Sequence, residues 1–176
     1  MTNYKHDTCC NDYYPHPRPY PEVNQTVLSC GNGTGIIVPV HTNANSQLFN
    51  PYVIASVSID TSEFKKASIK IDFSSVILFR QTEGNALQLT FQLSKVYSCG
   101  GKIALGTWNF VREFELGIGE SFESVDSFGF TWCECNVCRG CAYYTVELIQ
   151  VENSVANSAT IINPTINALA VGPADC

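Results

Sequence analysis

Three stretches decide the fold of this chain: VIASVSID at 53–60, ASIKIDF at 67–73 and LQLTFQLS at 87–94. In each of them apolar side chains alternate with polar ones, so that every second residue points to the same side of an extended backbone. This period of two is typical of a strand with one buried face. No window of the sequence has a sustained helical period, and we predict no helix longer than about two turns.

The same pattern continues on both sides of these stretches. Further strands are predicted at 25–30, 35–41, 103–116, 120–132, 142–151 and 157–171. Turn signals separate the strands, among them GNGTG at 31–35, which we interpret as a hairpin turn. Eight or nine antiparallel strands without a strand–helix–strand rhythm predict an all-β, two-sheet antiparallel sandwich. Jelly-roll topology suits a domain of this length.

The sequence divides into two parts at about residue 24. Residues 1–24 contain the run YPHPRPYP at 14–21, whose four prolines favour an extended, polyproline-like backbone. We predict that residues 1–24 form an extended N-terminal connector arm and that residues 25–176 form the sandwich domain. Composition alone is equally compatible with a disordered tail, but the adjacent cysteines at 9 and 10 favour a connector.

The composition argues against several classes of function. The 176 residues carry a formal net charge of −6, and the ten Lys and Arg are scattered, so we expect no nucleic-acid partner. No apolar run is long enough to span a membrane, and the first ten residues contain no recognisable secretory signal. Because the sequence contains no nucleophile elbow, phosphate loop or HExxH motif, we expect no enzyme, no catalytic residue and no cofactor.

Cysteine is the unusual component, with nine residues in the chain. Cys9 and Cys10 are adjacent, and in an extended arm their side chains point to opposite sides. A bond between them would form a strained ring, so the pair is better placed to bond with two different partners. The alternative interpretation is a pair of incidental surface thiols.

The densest group of cysteines is CECNVCRGC at 133–141, which contains Cys133, Cys135, Cys138 and Cys141. Four thiolates within nine residues suit one zinc ion or an iron–sulfur cluster. The competing interpretation is a disulfide-rich hairpin tip that joins the strands predicted at 120–132 and 142–151. Both interpretations stay open on the sequence alone.

Several longer strings carry a resemblance to known proteins. They are LSCGNGTG at 28–35, VIASVSIDTS at 53–62, LTFQLSK at 89–95, TWNFVREF at 107–114 and GFTWCECNVCRGCAYYTVEL at 129–148. These strings resemble an uncharacterised clostridial domain family. In architecture, with a Cys-Cys pair ahead of a spacer and an Asn/Thr/Ser-rich jelly roll, the chain is similar to the endospore appendage pilins of spore-forming Firmicutes.

The resemblance implies a structural, pilin-like subunit that self-assembles into an extracellular, disulfide-crosslinked fibre, as in a spore appendage. The arm would insert into other copies of the chain, and sheet edges would pair by β-augmentation. Carried over to this sequence, Cys9 and Cys10 would form interchain disulfides, with Cys30 as one acceptor and Cys99 or a cysteine of 133–141 as the other. The cluster and Cys176 depart from the pilin pattern. A small metal-binding module and a carbohydrate-binding jelly roll are the alternative functions.

Overall fold

The computed structural model describes residues 25–39, 47–82, 86–97, 101–113, 116–117, 120–152 and 157–172. The predicted connector arm lies outside these ranges, as do Cys9, Cys10, Cys99 and Cys176. None of the described segments forms a helix long and apolar enough to cross a membrane. The strands are β1 (Gln25–Asn32), β2 (Ile36–Ile37), β3 (Gln47–Asp60), β4 (Ala67–Gln81), β5 (Leu87–Tyr97), β6 (Lys102–Arg112), β7 (Phe122–Val137), β8 (Cys141–Glu152) and β9 (Asn157–Gly172).

The strands form two antiparallel sheets that pack face to face. The first sheet has the order β1-β9-β4-β7, with the short β2 also paired to β9, and the second has the order β3-β8-β5-β6. Most connections cross from one sheet to the other, so that neighbours within a sheet come from distant parts of the sequence. This arrangement is a jelly-roll sandwich, and the predicted fold class is confirmed.

The alternation seen in the sequence produces the core between the sheets. The strictest example is β4, where buried and accessible residues alternate along most of its 15 residues. The inward side chains of β4 and β5 that meet in the core are Ala67, Ile69, Ile71, Phe73, Leu87, Leu89, Phe91 and Leu93. Complete burial of one such aliphatic or aromatic side chain stabilises the folded state by roughly 1.5–3 kcal/mol.

The predicted hairpin turn at 31–35 is wrong. β1 and β2 both pair with β9 in the antiparallel sense, so the chain keeps one direction through this segment. Gly33 instead forms a bridge with Ala55 of β3. The glycines are needed for close approach, because a Cβ at Gly31 would collide with the Ser56 carbonyl oxygen of β3. The segment therefore joins the two sheets along one side of the sandwich.

The strand predicted at 120–132 is longer than expected. β7 continues to Val137, since its pairing with β4 extends through Cys133, which lies opposite Lys70, and Glu134, which lies opposite Ile69. The first two cysteines of the cluster are therefore part of a strand and not of a hairpin tip. Backbone pairing with the long strand β4 therefore extends β7 beyond the point at which the sequence predicted its end.

Aromatic side chains fill the core along the opposite side of the sandwich, where β6 and β7 end their sheets. Trp108 of β6 stacks on Phe130 of β7 with ring centroids 3.8 Å apart, and Phe128 of β7 stacks on Phe91 of β5 at 4.6 Å. Near-parallel aromatic pairs of this kind add to the stabilisation from buried area.

Candidate assembly site

Cys30, the expected acceptor in the first strand, is free and exposed on β1. The register aligns Cys30 with Asn167, Asp72 and Thr131 across the first sheet. Because directly opposed residues of antiparallel strands share a face, this thiol lies on the outer face of that sheet. The neighbouring Ser29 hydroxyl donates a hydrogen bond to the Ser58 carbonyl oxygen (2.6 Å), which fixes β1 against β3. Cys30 is thus rigidly held and accessible to a second chain.

Cys133 and Cys135 are also exposed, at the other edge of the same sheet, and the Cys133 thiol is free. Cys133 is two residues from Thr131, so it lies on the same outer face as Cys30. The Ser68 hydroxyl of β4 donates a hydrogen bond to the Cys135 sulfur at 3.7 Å. The first sheet therefore carries free outward-facing thiols on both of its edge strands.

Lys70 supplies a positive charge beside these thiols, since it lies directly opposite Cys133. Its ammonium donates to an Asp72 carboxylate oxygen at 2.8 Å. This hydrogen bond is the largest cause that raises the pKa of Lys70, and the charge of Asp72 and that of a Cys133 thiolate act in the same direction. Lys70 is therefore held in its charged form beside the Cys133 sulfur.

The other two cysteines of the cluster are placed elsewhere. Cys141 is the first residue of β8, in the second sheet, where it lies opposite Asp60. The pKa of Asp60 is lowered chiefly by the Ser62 amide, which donates a 2.9 Å hydrogen bond, and to a smaller extent by the Cys141 thiol. Cys138, in the turn between β7 and β8, is disulfide-bonded.

The four cysteines of 133–141 are therefore not gathered into one ligand set. Two lie on the outer face of the first sheet, one lies in the second sheet, and one is oxidised. All four belong to the described residues, among which no group of three or more His, Cys, Asp or Glu side chains is placed to hold a metal ion. This placement favours disulfide chemistry over metal binding at 133–141.

The strands β6 and β7 end their sheets, and each pairs on one side only within the described part of the chain. β7 is a long edge of 16 residues. The gap between the two strands is bridged by side chains, with the Arg112 guanidinium of β6 donating to an Asp126 carboxylate oxygen of β7 at 3.0 Å. A long edge with unpaired backbone groups is a template for another strand.

An apolar row crosses the outer face of the first sheet at the end opposite to Gln25. Ile37, Thr160, Leu78 and Val125 are aligned by the strand register. Ile37 is 80% exposed and Val125 is 71% exposed. Exposed apolar residues that adjoin each other across several strands are typical of interaction surfaces.

One polar group inside the sandwich was not predicted from the sequence. Lys95 of β5 donates to a Glu134 carboxylate oxygen of β7 at 2.8 Å, and the Tyr144 hydroxyl of β8 donates to the other oxygen at 3.0 Å. A signal was available, because Lys95 continues the inward series of Leu89, Phe91 and Leu93. A lysine at an inward position of an apolar series needs a partner in the core.

Comparisons with known proteins give a family match and two distant likenesses of fold. The sequence profile of the family described as "Domain of unknown function (DUF4489)" matches residues 24–171. No curated protein sequence is significantly similar to the chain. One similar solved structure is titled "Structure of infectious bursal disease virus Gx strain" (TM-score 0.41, 13% identity, 92% of this chain and 37% of the viral chain). Another is titled "Structure of Eiger TNF from S. frugiperda" (TM-score 0.40, 10% identity, covering 86% of this chain and 94% of the other). The chain thus spans little more than a third of the viral protein.

Proposed function

Because the chain belongs to the DUF4489 family, a family described only as a domain of unknown function, we propose its function from its cysteines and strand edges. The protein is a structural subunit that self-assembles with copies of itself into a disulfide-crosslinked fibre. The fibre lies outside the cell, as a spore appendage, in keeping with the resemblance to clostridial domains and appendage pilins. The observation that carries the proposal is the presence of free, exposed thiols on both edge strands of one sheet.

The placement of Cys30, Cys133 and Cys135 supports crosslinking between chains. All three are exposed, and each lies on a strand whose backbone is fixed by its neighbour. Exposed free cysteine is a liability in a monomeric protein, because it forms unintended disulfides. Cys30 and Cys133 are two such thiols on one outer sheet face, and bonds to other copies would explain their presence.

The free edges supply a noncovalent contact. A second copy can add a strand to β7 through main-chain hydrogen bonds, as in β-augmentation. An edge that pairs with a different edge of the next copy is a head-to-tail contact, and such a contact generates a filament when its rotation does not close a ring. The apolar row through Leu78 and Val125 adds a surface that a neighbouring copy would cover.

The start of β1 fixes where the connector arm enters the domain. Gln25 is paired with Gly172, and the adjacent Val171 lies opposite Ser68, which contacts Cys135. The arm is therefore attached at the end of the sandwich that carries the cysteines of 133–141. An extended spacer of residues 11–24 would reach up to ~43 Å at ~3.1 Å per residue, which suffices to cross a neighbouring domain.

Electrophoresis of the purified full chain with and without reductant tests this proposal, together with negative-stain electron microscopy. We expect filaments in the microscope, and ladders or material retained in the well that collapse to a single band after reduction. A protein that stays monomeric under oxidising conditions contradicts the fibre proposal. Bound zinc or iron in that monomer would favour the metal-binding module, and its absence the carbohydrate-binding jelly roll.

A further inference from the structure

Lys95 is a charged group at a position where the fold otherwise places apolar side chains. Its side chain is 1% exposed, and the lysine nitrogen lies 5.5 Å from the centre of the ring of the fully buried Tyr144. Glu134, its partner across the core, projects inward from β7 and is 22% exposed. Removing the lysine ammonium from water costs several kcal/mol.

Proton transfer along the 2.8 Å hydrogen bond neutralises both groups at once. It leaves an uncharged amine in contact with a carboxylic acid. These are the two forms that react to give an amide. The sandwich holds them together on two different sheets, so that proximity and orientation are provided by the fold.

We propose that Lys95 and Glu134 condense into an intramolecular isopeptide bond that joins β5 to β7. The Lys95 Nζ lone pair attacks Glu134 Cδ and forms the C–N bond. The bond from Cδ to one carboxyl oxygen then breaks, and that oxygen leaves as water with two protons that the lysine originally carried. From the starting ion pair the products are one neutral amide and one water molecule, so no oxidant, reductant or cofactor is required.

Tyr144 is placed to assist this reaction. Its hydroxyl donates to Glu134 Oε2 at 3.0 Å, and negative charge develops on that oxygen when the carboxyl carbon becomes tetrahedral. A fixed donor aimed at such an oxygen stabilises the transition state. The partial exposure of Glu134 at the rim of the sandwich gives the released water a path out of the core.

A second lysine–glutamate pair in the same protein provides a matched control. The Lys102 ammonium lies 2.6 Å from a Glu147 carboxylate oxygen, and Glu147 is 8% exposed, but the Lys102 side chain is 46% exposed. Water solvates the ammonium group there, so that the ionised pair is stable and does not condense. The proposal thus predicts a bond where the lysine is buried and none where the lysine is exposed, although both pairs are in contact.

Mass spectrometry of the purified, reduced full chain tests this inference, which does not depend on the proposed fibre. We expect an intact mass lower than that of the sequence by one water molecule, and a branched peptide that links Lys95 to Glu134. Lys95→Arg and Glu134→Ala should restore the full mass, and Tyr144→Phe should slow the loss of water. A full mass for the unaltered protein overturns the proposal, whatever the variants do. An isopeptide bond between Lys102 and Glu147 as well would show that condensation does not depend on burial of the lysine.

Discussion

At the scale of single residues, Gly31 has no room for a side chain. A Cβ there would meet the carbonyl oxygen and carbon of Ser56, which are backbone atoms and cannot rotate away. We predict that Gly31→Ala lowers the free energy of unfolding by about 1–3 kcal/mol, the usual range for an overpacked site. Urea denaturation of the reduced protein measures the change. Gly101→Ala is the control, because Gly101 is exposed with open space around its Cα, and an equal effect of the two substitutions would contradict the explanation.

The ion pair between Arg112 and Asp126 gives a pH prediction. The Arg112 hydrogen bond, with a smaller contribution from the Ser124 hydroxyl, holds the pKa of Asp126 below its ordinary value. A carboxyl group with a lowered folded-state pKa stabilises the fold above its unfolded pKa of about 4, and this stabilisation is lost as the pH falls through the folded value. Both side chains are partly exposed, so the contribution is at most about 1 kcal/mol.

Asp126→Asn should therefore lower the melting temperature at neutral pH and have little effect at a pH well below the folded pKa of Asp126. Thermal unfolding followed by circular dichroism at the two pH values measures this difference. Glu123→Gln serves as the control, because Glu123 and its partner Arg80 are more exposed and contribute less. A destabilisation by Asp126→Asn that is the same at both pH values would show that the charge of Asp126 is not its cause.

At the scale of strands, the sequence predicted most accurately what depends on local alternation. The inward and outward faces of β4 and β5 follow directly from the period of two, because each face meets one environment along the whole strand. The end of β7 and the course of residues 31–35 could not be predicted in this way. Both are decided by a partner strand that is distant in the sequence.

The connector arm is the element on which assembly depends in our proposal. Deleting residues 1–20 leaves every described strand and the whole of the described core intact. We therefore predict a folded, monomeric domain that no longer polymerises. Circular dichroism should give an unchanged strand spectrum, while size-exclusion chromatography and electron microscopy should give monomers only. Normal filaments from the truncated chain would mean that strand edges alone connect the subunits.

At the scale of the whole molecule, the spacing of the cysteines in the sequence was misleading about their arrangement in space. CECNVCRGC fits one compact site when it is considered as an isolated segment. In the jelly roll the chain crosses from one sheet to the other within this segment, so that Cys133 and Cys141 belong to different sheets. Only the strand order contains this information. The identity of the candidate crosslinking residues was thus accessible from the sequence, but their grouping was not.

Disulfide bonds between chains hold the fibre together in our proposal. If Cys9 and Cys10 each bond to a different copy, with Cys30 as one acceptor, the bonds run between chains. They add little to the stability of one subunit, but dissociation then requires a chemical step.

The fibre should resist boiling in detergent until a reductant is added. The double variant Cys9→Ser with Cys10→Ser should give filaments, if any, that detergent alone dissolves. If the double variant keeps its full resistance, the covalent links lie at other cysteines. The outward-facing Cys133 and Cys135 on the edge strand β7 are then the residues to replace next.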